Sequence, residues 1–249
     1  MSYEPRWYRK QMDSKRFHSF TVTHFETDLW IGVNPDSFQK RMISFCVEKI
    51  KLLRNLLDDY ITRFPLFRNS LVPLAFDTSA PEIAQEMLLQ SQNTGTGPMS
   101  CVAGAFAHFM GQELINKFHP KELVIENGGD IFILSEKTIQ VAVYAGKSQL
   151  SGKIGILVTP DKTPLGICTS SGTVGPSLSF GKADAVMIVC KSTTLADGYA
   201  TAFANKIHSP DDISNVIESI KKIPEIISAL IICDDKFGIC GKLKLEIFR

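Results

Sequence analysis

Two short apolar runs separated by Asn-Gly constrain the fold of this chain more than any other feature of its sequence. The runs ELVIE and IFILS flank Asn127-Gly128-Gly129-Asp130, and Asn-Gly between apolar runs is the strongest short signal for a β-hairpin. Further strands are expected at TIQVAVYA and KIGILVTP, which should continue the sheet, and at LGICTSSG, ADAVMIVCK, ISALIICDD and KLKLEIF. The chain from residue 121 onward is therefore predicted to form a mainly antiparallel sheet.

Helical periodicity dominates the part of the chain before this sheet. One or two strands are predicted within residues 17–33, and TDLWIGV is the clearest of them. The first predicted helix begins at NPDSF, with Pro35 in its first turn, and ends before Pro65. The other predicted helices are 81–92, 98–117, 193–203 and 210–223. The helix at 98–117 has a front half of small residues, which let another backbone or a ligand approach closely. Together, these elements predict an α+β fold, in which helices pack on one face of a mainly antiparallel sheet. We expect a single domain over residues 1–249.

The balance of charged residues argues against a nucleic-acid partner. The 249 residues carry 27 basic and 26 acidic side chains, for a net charge of +1, whereas a nucleic-acid binder usually presents a basic face. The closest approach to such a face is RWYRKQMDSKRF, the basic segment (residues 6–17), which we interpret as a solvated arm or an edge strand. Its basic residues are Arg6, Arg9, Lys10, Lys15 and Arg16. We expect no nucleic-acid partner.

Hydropathy gives no membrane signal. No signal peptide is visible, and no run approaches the ~20 apolar residues of a spanning helix. We therefore expect a cytoplasmic protein without a membrane partner. The sequence leaves the oligomeric state open, and a dimer is compatible with it.

Two polar loops are candidates for a binding site. Asn127-Gly128-Gly129-Asp130 is either a turn whose exposed amides receive an anionic or carbonyl group, or simply a hairpin turn. Thr169-Ser170-Ser171-Gly172-Thr173 places four hydroxyls around a glycine at a strand end. These hydroxyls could bind phosphate oxygens, or they could form a polar turn with side-chain-to-backbone bonds.

A third candidate is the pair Asp197 and Thr201 in TTLADGYATAF. Four residues apart on a helix, the two side chains lie on one face. A carboxylate and a hydroxyl, with substrate phosphates completing the shell, suit Mg²⁺. Two alternatives need no metal: an acid near a helix N-terminus is favoured by the dipole, and a helical Thr can bond to the carbonyl four residues earlier.

The order of four motifs resembles that of the ApbE-like superfamily, the FAD:protein FMN transferases. These motifs are the small-residue helix, the NGGD hairpin, the TSSG loop and the ADGYAT helix. The resemblance covers roughly residues 95–207 and is closest to the short, cytosolic, uncharacterised branch. It implies the ApbE-like fold, related to the T-fold. It also implies a magnesium-dependent transferase that moves FMN from FAD to a protein acceptor.

The resemblance also assigns residues to roles. The metal ligands it implies for Mg²⁺ are Asp197 and Thr201. The residues it places beside FAD or a related diphosphate nucleotide are Gly128, Gly129, Thr169, Ser170, Ser171 and Gly172. Asp130 is the candidate catalytic base for the acceptor hydroxyl.

The sequence departs from the family in ways that leave alternatives open. The family carries a His and an Asp-Pro pair before its last helix, but TVGPSLSFGKADAVMIVCKSTT has neither. The family's Lys in the Gly-rich helix is also missing from VAGAFAHF. One alternative is therefore a non-catalytic binding or scaffold protein.

Another alternative uses cysteine chemistry. Cys101 lies at a predicted helix N-terminus, where the dipole lowers a thiol pKa, and Cys168 adjoins the Ser/Thr loop. A cysteine-based sulfur (persulfide) carrier with a sulfur-metabolism partner, acting in sulfur amino-acid synthesis, would use these thiols. Otherwise both are buried small hydrophobes.

Overall fold

The computed structural model describes residues 6–12, 15–173 and 179–248. The strands are β1 (His18–His24), β2 (Thr27–Val33), β3 (Leu123–Asn127), β4 (Asp130–Leu134), β5 (Ile139–Ala142), β6 (Ile154–Val158), β7 (Leu165–Ser170), β8 (Ala185–Cys190), β9 (Ser228–Cys233), β10 (Lys236–Gly241) and β11 (Lys244–Ile247). The helices are α1 (Arg41–Arg63), α2 (Leu66–Asn69), α3 (Glu82–Thr94), α4 (Val102–Phe118), α5 (Thr193–Ala204) and α6 (Ile213–Ile220).

The strands form two sheets. The main sheet has eight strands in the order β1-β2-β3-β4-β7-β8-β9-β10, and all its neighbours pair antiparallel. The other sheet has three strands in the order β11-β6-β5. The prediction that TIQVAVYA and KIGILVTP continue the main sheet is wrong, because they form β5 and β6 of this smaller sheet.

The two faces of the main sheet are covered differently. Alternate residues of a strand point to opposite faces, so Val186 and Ile188 pack with the apolar residues of α5 and α6. Met187 and Val189 pack instead with the small sheet. A third apolar cluster joins α1, α3 and α4 to β2, β3 and β4. Helices therefore cover one face, as predicted, and the small sheet covers the other.

Two helices begin later than the sequence predicts. Pro35–Ser37 forms a separate 3₁₀ turn, and Phe38 is extended and stacks on His18 with ring centroids 3.6 Å apart, so α1 begins only at Arg41. Pro98–Cys101 forms another 3₁₀ turn before α4. The helical periodicity itself is confirmed, since α1 buries a regular stripe of side chains. That stripe is Met42, Cys46, Ile50, Leu53, Leu57 and Tyr60.

Two glycines let α5 lie close to its neighbours. A Cβ on Gly104 of α4 would lie 2.5 Å from the Thr193 carbonyl oxygen and 2.6 Å from the Cβ of Asp197. A Cβ on Gly166 of β7 would lie 2.3 Å from the Cα of Thr193. The small residues of α4 therefore accommodate α5 of the same chain. No helix within the described residues is both long and apolar enough to cross a membrane.

Candidate functional site

The NGGD stretch forms a tight hairpin turn between β3 and β4. Asn127 pairs with Asp130, and the two central glycines have φ of +67° and +105°, as a type I′ turn requires. The hairpin interpretation is therefore confirmed. The amide of Gly129 donates to Oε1 of Glu126 at 2.9 Å, so this amide is not available to a ligand as the other interpretation requires.

Strand pairing brings this turn beside the Ser/Thr loop. β4 pairs with β7 so that Ile131 lies opposite Ile167, which places Asp130 beside Cys168 and Thr169. The Thr169 amide and the Cys168 thiol lie near the Asp130 carboxylate and oppose the rise in its pKa. Two loops about 40 positions apart in the sequence thus meet at one edge of the main sheet.

The helix α5 brings Asp197 to the same place. Oδ2 of Asp197 accepts from the Gly104 amide at 2.8 Å, and its carboxylate is also hydrogen-bonded by the Ala103 amide. Asp197 therefore satisfies amides in the first turn of α4, which have no intrahelical partner. This role cannot be predicted from the sequence, because the contact joins residues of two helices that are 93 positions apart.

Thr201 follows one turn later on α5 and is half-buried. Within the described residues, no hydrogen bond engages its hydroxyl, so the bond back to the Asp197 carbonyl is not formed. The Thr201 oxygen is therefore available to a cation, one helical turn after Asp197, whose carboxylate also has lone pairs that are not used in hydrogen bonds.

The two carboxyls of the site are buried and influence each other. Asp130 is 6% exposed and Asp197 is 8% exposed. Burial raises the pKa of Asp197 to about 7 against the opposing effect of the Gly104 and Ala103 amides. Burial also raises the pKa of Asp130, and the charge of Asp197 raises it further. A proton or a bound cation would relieve the repulsion between these two groups.

The chemistry of the donors fits a hard divalent cation. Asp130, Asp197 and Thr201 offer only oxygen atoms, which Mg²⁺ prefers. In the part of the chain that the structure describes, no group of three or more His, Cys, Asp or Glu side chains could hold a metal by itself. Waters and ligand oxygens would therefore have to complete the shell, as is usual for Mg²⁺ bound with a phosphate-bearing substrate.

The Ser/Thr loop divides into two parts. The Gly172 amide donates to the Ala183 carbonyl at 2.9 Å, and the Thr173 hydroxyl donates to Asp184 at 2.9 Å. A Cβ on Gly172 would lie 2.1 Å from the Gly181 carbonyl oxygen. The far end of the loop is therefore a polar turn packed on residues 181–184, and residues 174–178 lie outside the described chain.

The near end of the loop, Thr169 and Ser170, adjoins the site at the end of β7. Thr169 and Ser170 are half-buried, and within the described residues their hydroxyls make no hydrogen bond. Ser171 lies between the two parts, and its hydroxyl accepts from the Thr173 amide at 3.0 Å. Ser170 lies opposite Val186, on the helix-covered face of the sheet, so its hydroxyl is the one best placed to meet a ligand beside Asp130. Thr169 lies opposite Met187, and its side chain points to the other face.

The two candidate cysteines lie at the site but are not activated. Cys101 and Cys168 are both fully buried, and burial, together with the nearby Asp130 and Asp197 carboxylates, raises the pKa of each thiol. The predicted lowering of the Cys101 pKa is therefore wrong, because burial disfavours the thiolate and the nearby Asp197 charge adds to this effect. The Cys168 thiol also lies 3.2 Å from the Thr193 carbonyl oxygen, to which it can donate.

The arginines of the basic segment, in its described residues 6–12 and 15–17, are held against the protein. The 3₁₀ turn of this segment, Trp7–Gln11, lies near the NGGD turn, and Arg9 forms ion pairs with Glu126 and Asp28. Arg16 pairs with Glu122. The interpretation as a solvated arm or an edge strand is wrong, because buried carboxylates on β2, on β3 and just before β3 hold these arginines. Sequence reasoning missed Glu126, although an acid directly before the NGGD turn is visible in the sequence.

Comparison with known proteins agrees with the fold. A family model described as AbpE bacteria matches residues 9–233. The chain belongs to this family. A UPF0280 protein of Methanocaldococcus jannaschii is 35% identical over 243 residues, covering 95% of this chain and 92% of the relative. A UPF0280 protein of Methanocella arvoryzae is 36% identical over 198 residues, covering 80% of each chain.

Solved structures share the architecture of this AbpE bacteria family member. The apo flavinyl transferase ApbE of Pseudomonas stutzeri superimposes with a TM-score of 0.55 at 13% identity, covering 90% of this chain and 93% of that one. The ApbE protein of Thermotoga maritima gives a TM-score of 0.53 at 12% identity, covering 86% and 94%. The predicted ApbE-like α+β fold is therefore confirmed.

Proposed function

We propose that this chain binds a diphosphate-bearing nucleotide, FAD in the first instance, together with Mg²⁺. Asp197 and Thr201 bind the cation, and the NGGD turn and the near end of the Ser/Thr loop contact the nucleotide. The proposal places this activity in the cytoplasm and in a single domain. ApbE flavin transferases among the solved structures of the same fold support a flavin as the first ligand to test.

The observation that carries the proposal is the buried pair of carboxyls, Asp130 and Asp197, whose pKa values are both raised. Burial of a charge is unfavourable unless the charge is paired. Asp130 meets a thiol and an amide, and Asp197 meets two amides, but neither has a cationic side chain among its contacts in the described chain. A divalent cation would supply the missing charge.

FMN transfer from FAD is the enzymatic form of the proposal. Bound Mg²⁺ would neutralise charge on the pyrophosphate. The Asp130 carboxylate, kept ionised by the bound cation, would take the proton of an acceptor hydroxyl as the hydroxyl oxygen attacks the FMN phosphorus and AMP leaves. The protein acceptor would be the partner. A chain that binds FAD and releases no AMP would instead be a binding protein, so turnover separates these two forms.

The test is an FAD titration followed by fluorescence quenching, with Mg²⁺ and then with EDTA. Native protein is compared with Asp197→Asn, Thr201→Val and the control Glu122→Gln. Glu122 is also a buried carboxylate, but it precedes β3 at the end away from the NGGD turn. We expect Mg²⁺-dependent binding in the native protein and the control, and about tenfold to a hundredfold weaker binding in the site variants.

Two results would overturn the proposal. The first is the absence of FAD binding by the native protein with Mg²⁺. The second is binding of the same affinity in EDTA and in Asp197→Asn, which would show a nucleotide held without the cation site.

A further inference from the structure

The basic segment reaches the candidate site through one buried carboxylate. Glu126 lies in β3 and is 0% exposed. Its Oε1 accepts from the Tyr8 hydroxyl at 2.7 Å and from the Gly129 amide at 2.9 Å, while its Oε2 accepts from Nε of Arg9. A single side chain thus connects residues more than 110 positions earlier in the chain to the centre of the NGGD turn.

Further contacts fix this arrangement. Nη1 of Arg9 donates to Asp28 at 2.8 Å, and Nη2 donates to the Asp28 carbonyl at 2.9 Å, so the guanidinium has two anchors. On the other side of Glu126, the Asn127 side chain donates to the Ala103 carbonyl at 3.0 Å. The turn is therefore held between the basic segment and the first turn of α4, which also contacts Asp197.

We propose that Tyr8 and Arg9 are positioning residues for the site, because they hold Glu126 where it receives the Gly129 amide and thereby fix the turn that presents Asp130. This inference rests on the proposed function for its ligand, but not for its geometry. Without Arg9, the buried Glu126 charge would lose its ion pair and turn towards water, since an unpaired buried charge is unfavourable. The Gly129 amide would then lose its acceptor.

The chain offers a matched control at the other end of the same strand. Arg16 binds the Glu122 carboxylate through Nε at 3.2 Å and Nη2 at 2.7 Å. Glu122 is buried and precedes β3, whereas Glu126 is near the end of β3. Arg16→Gln and Arg9→Gln each remove an ion pair with a buried glutamate, and Arg9→Gln also removes the pair with Asp28. Only Arg9→Gln releases the site turn.

The experiment measures amide hydrogen exchange in the ligand-free, full-length protein, and then FAD affinity with Mg²⁺. We expect Arg9→Gln to speed exchange of the Gly129 amide about tenfold, as loss of one hydrogen bond would, and to weaken FAD binding about tenfold or more. Arg16→Gln should change neither, whatever it does to global stability. Tyr8→Phe removes one hydrogen bond to Glu126, so Gly129 exchange should be faster and FAD binding weaker, each by less than in Arg9→Gln. If Arg9→Gln does not fold, the comparison of Tyr8→Phe with the native protein tests the inference.

Equal exchange of the Gly129 amide in the Arg9→Gln and Arg16→Gln variants would overturn the inference, as would faster exchange with unchanged FAD affinity. If the native protein does not bind FAD, the proposed function fails by itself. The exchange comparison still decides whether Tyr8 and Arg9 hold the turn, because it is made without ligand.

Discussion

Replacement of Asp197 by Asn should stabilise the cation-free protein at alkaline pH. The amide side chain keeps an oxygen that can accept the Gly104 amide, which lies 2.8 Å from Oδ2 in the native protein. It removes the negative charge that burial disfavours and that raises the pKa of Asp130. The substitution therefore separates the structural role of this side chain from its charge.

The magnitude follows from the pKa. A carboxyl whose pKa rises from 3.8 to about 7 on folding costs the fold about 4 kcal/mol once it is ionised. The folded protein holds a proton that the unfolded chain releases, so stability falls as pH rises from 3.8 and levels off above 7. Roughly a third of this loss falls between pH 6 and pH 8, on either side of the folded pKa. The raised pKa of Asp130 acts in the same direction.

The assay is urea unfolding in EDTA at pH 6 and pH 8 for the native protein, Asp197→Asn and Glu122→Gln. We expect the native protein to lose more stability than Asp197→Asn over this range, and Asp197→Asn to be the more stable of the two at pH 8. Glu122→Gln should be destabilised at both pH values, because Arg16 and hydrogen bonds lower the pKa of Glu122. Equal pH slopes in the native protein and Asp197→Asn would refute the reasoning.

Three further predictions test single contacts. Thr201→Val should weaken Mg²⁺-dependent FAD binding about tenfold in a Mg²⁺ titration, and it should change stability by less than about 0.5 kcal/mol. Gly104→Ala should lower the free energy of unfolding by about 1–3 kcal/mol, because its Cβ would collide with α5; unchanged thermal unfolding would contradict this close contact. Alkylation followed by mass spectrometry should modify Cys240, which is partly exposed, before Cys101 and Cys168, which should react only on unfolding; rapid alkylation of either would restore the thiol hypothesis.

Local signals were enough to predict much of the fold. The Asn-Gly pair between apolar runs predicts the β3–β4 hairpin, because two residues with positive φ must join the strands. The apolar stripe of α1 follows from helical spacing alone. The motif order also predicted that the NGGD turn, the Ser/Thr loop and Asp197 would share a site, through a family resemblance rather than through geometry.

Long-range pairing set the limits of prediction. Periodicity identifies β5 and β6 as strands, but it cannot show that they pair with β11 in a separate sheet. Strand β10 (Lys236–Gly241), which is mostly half-buried or exposed, has no strong apolar pattern and was not predicted. Two contacts of the site also escape sequence patterns. Asp197 contacts a residue of α4 that is 93 positions away, and Arg9 contacts Glu126, 117 positions away.

The most direct test of the central claim is to locate the cation. Crystals of the protein grown with FAD and Mn²⁺, as a substitute for Mg²⁺, would reveal the metal by its anomalous scattering. The account predicts an anomalous peak within coordination distance of Asp197 and Thr201, with the FAD diphosphate beside it and the NGGD turn unchanged. Bound FAD with no peak at this position, or a peak elsewhere on the chain, would contradict the claim that the buried carboxyl pair is a cation site.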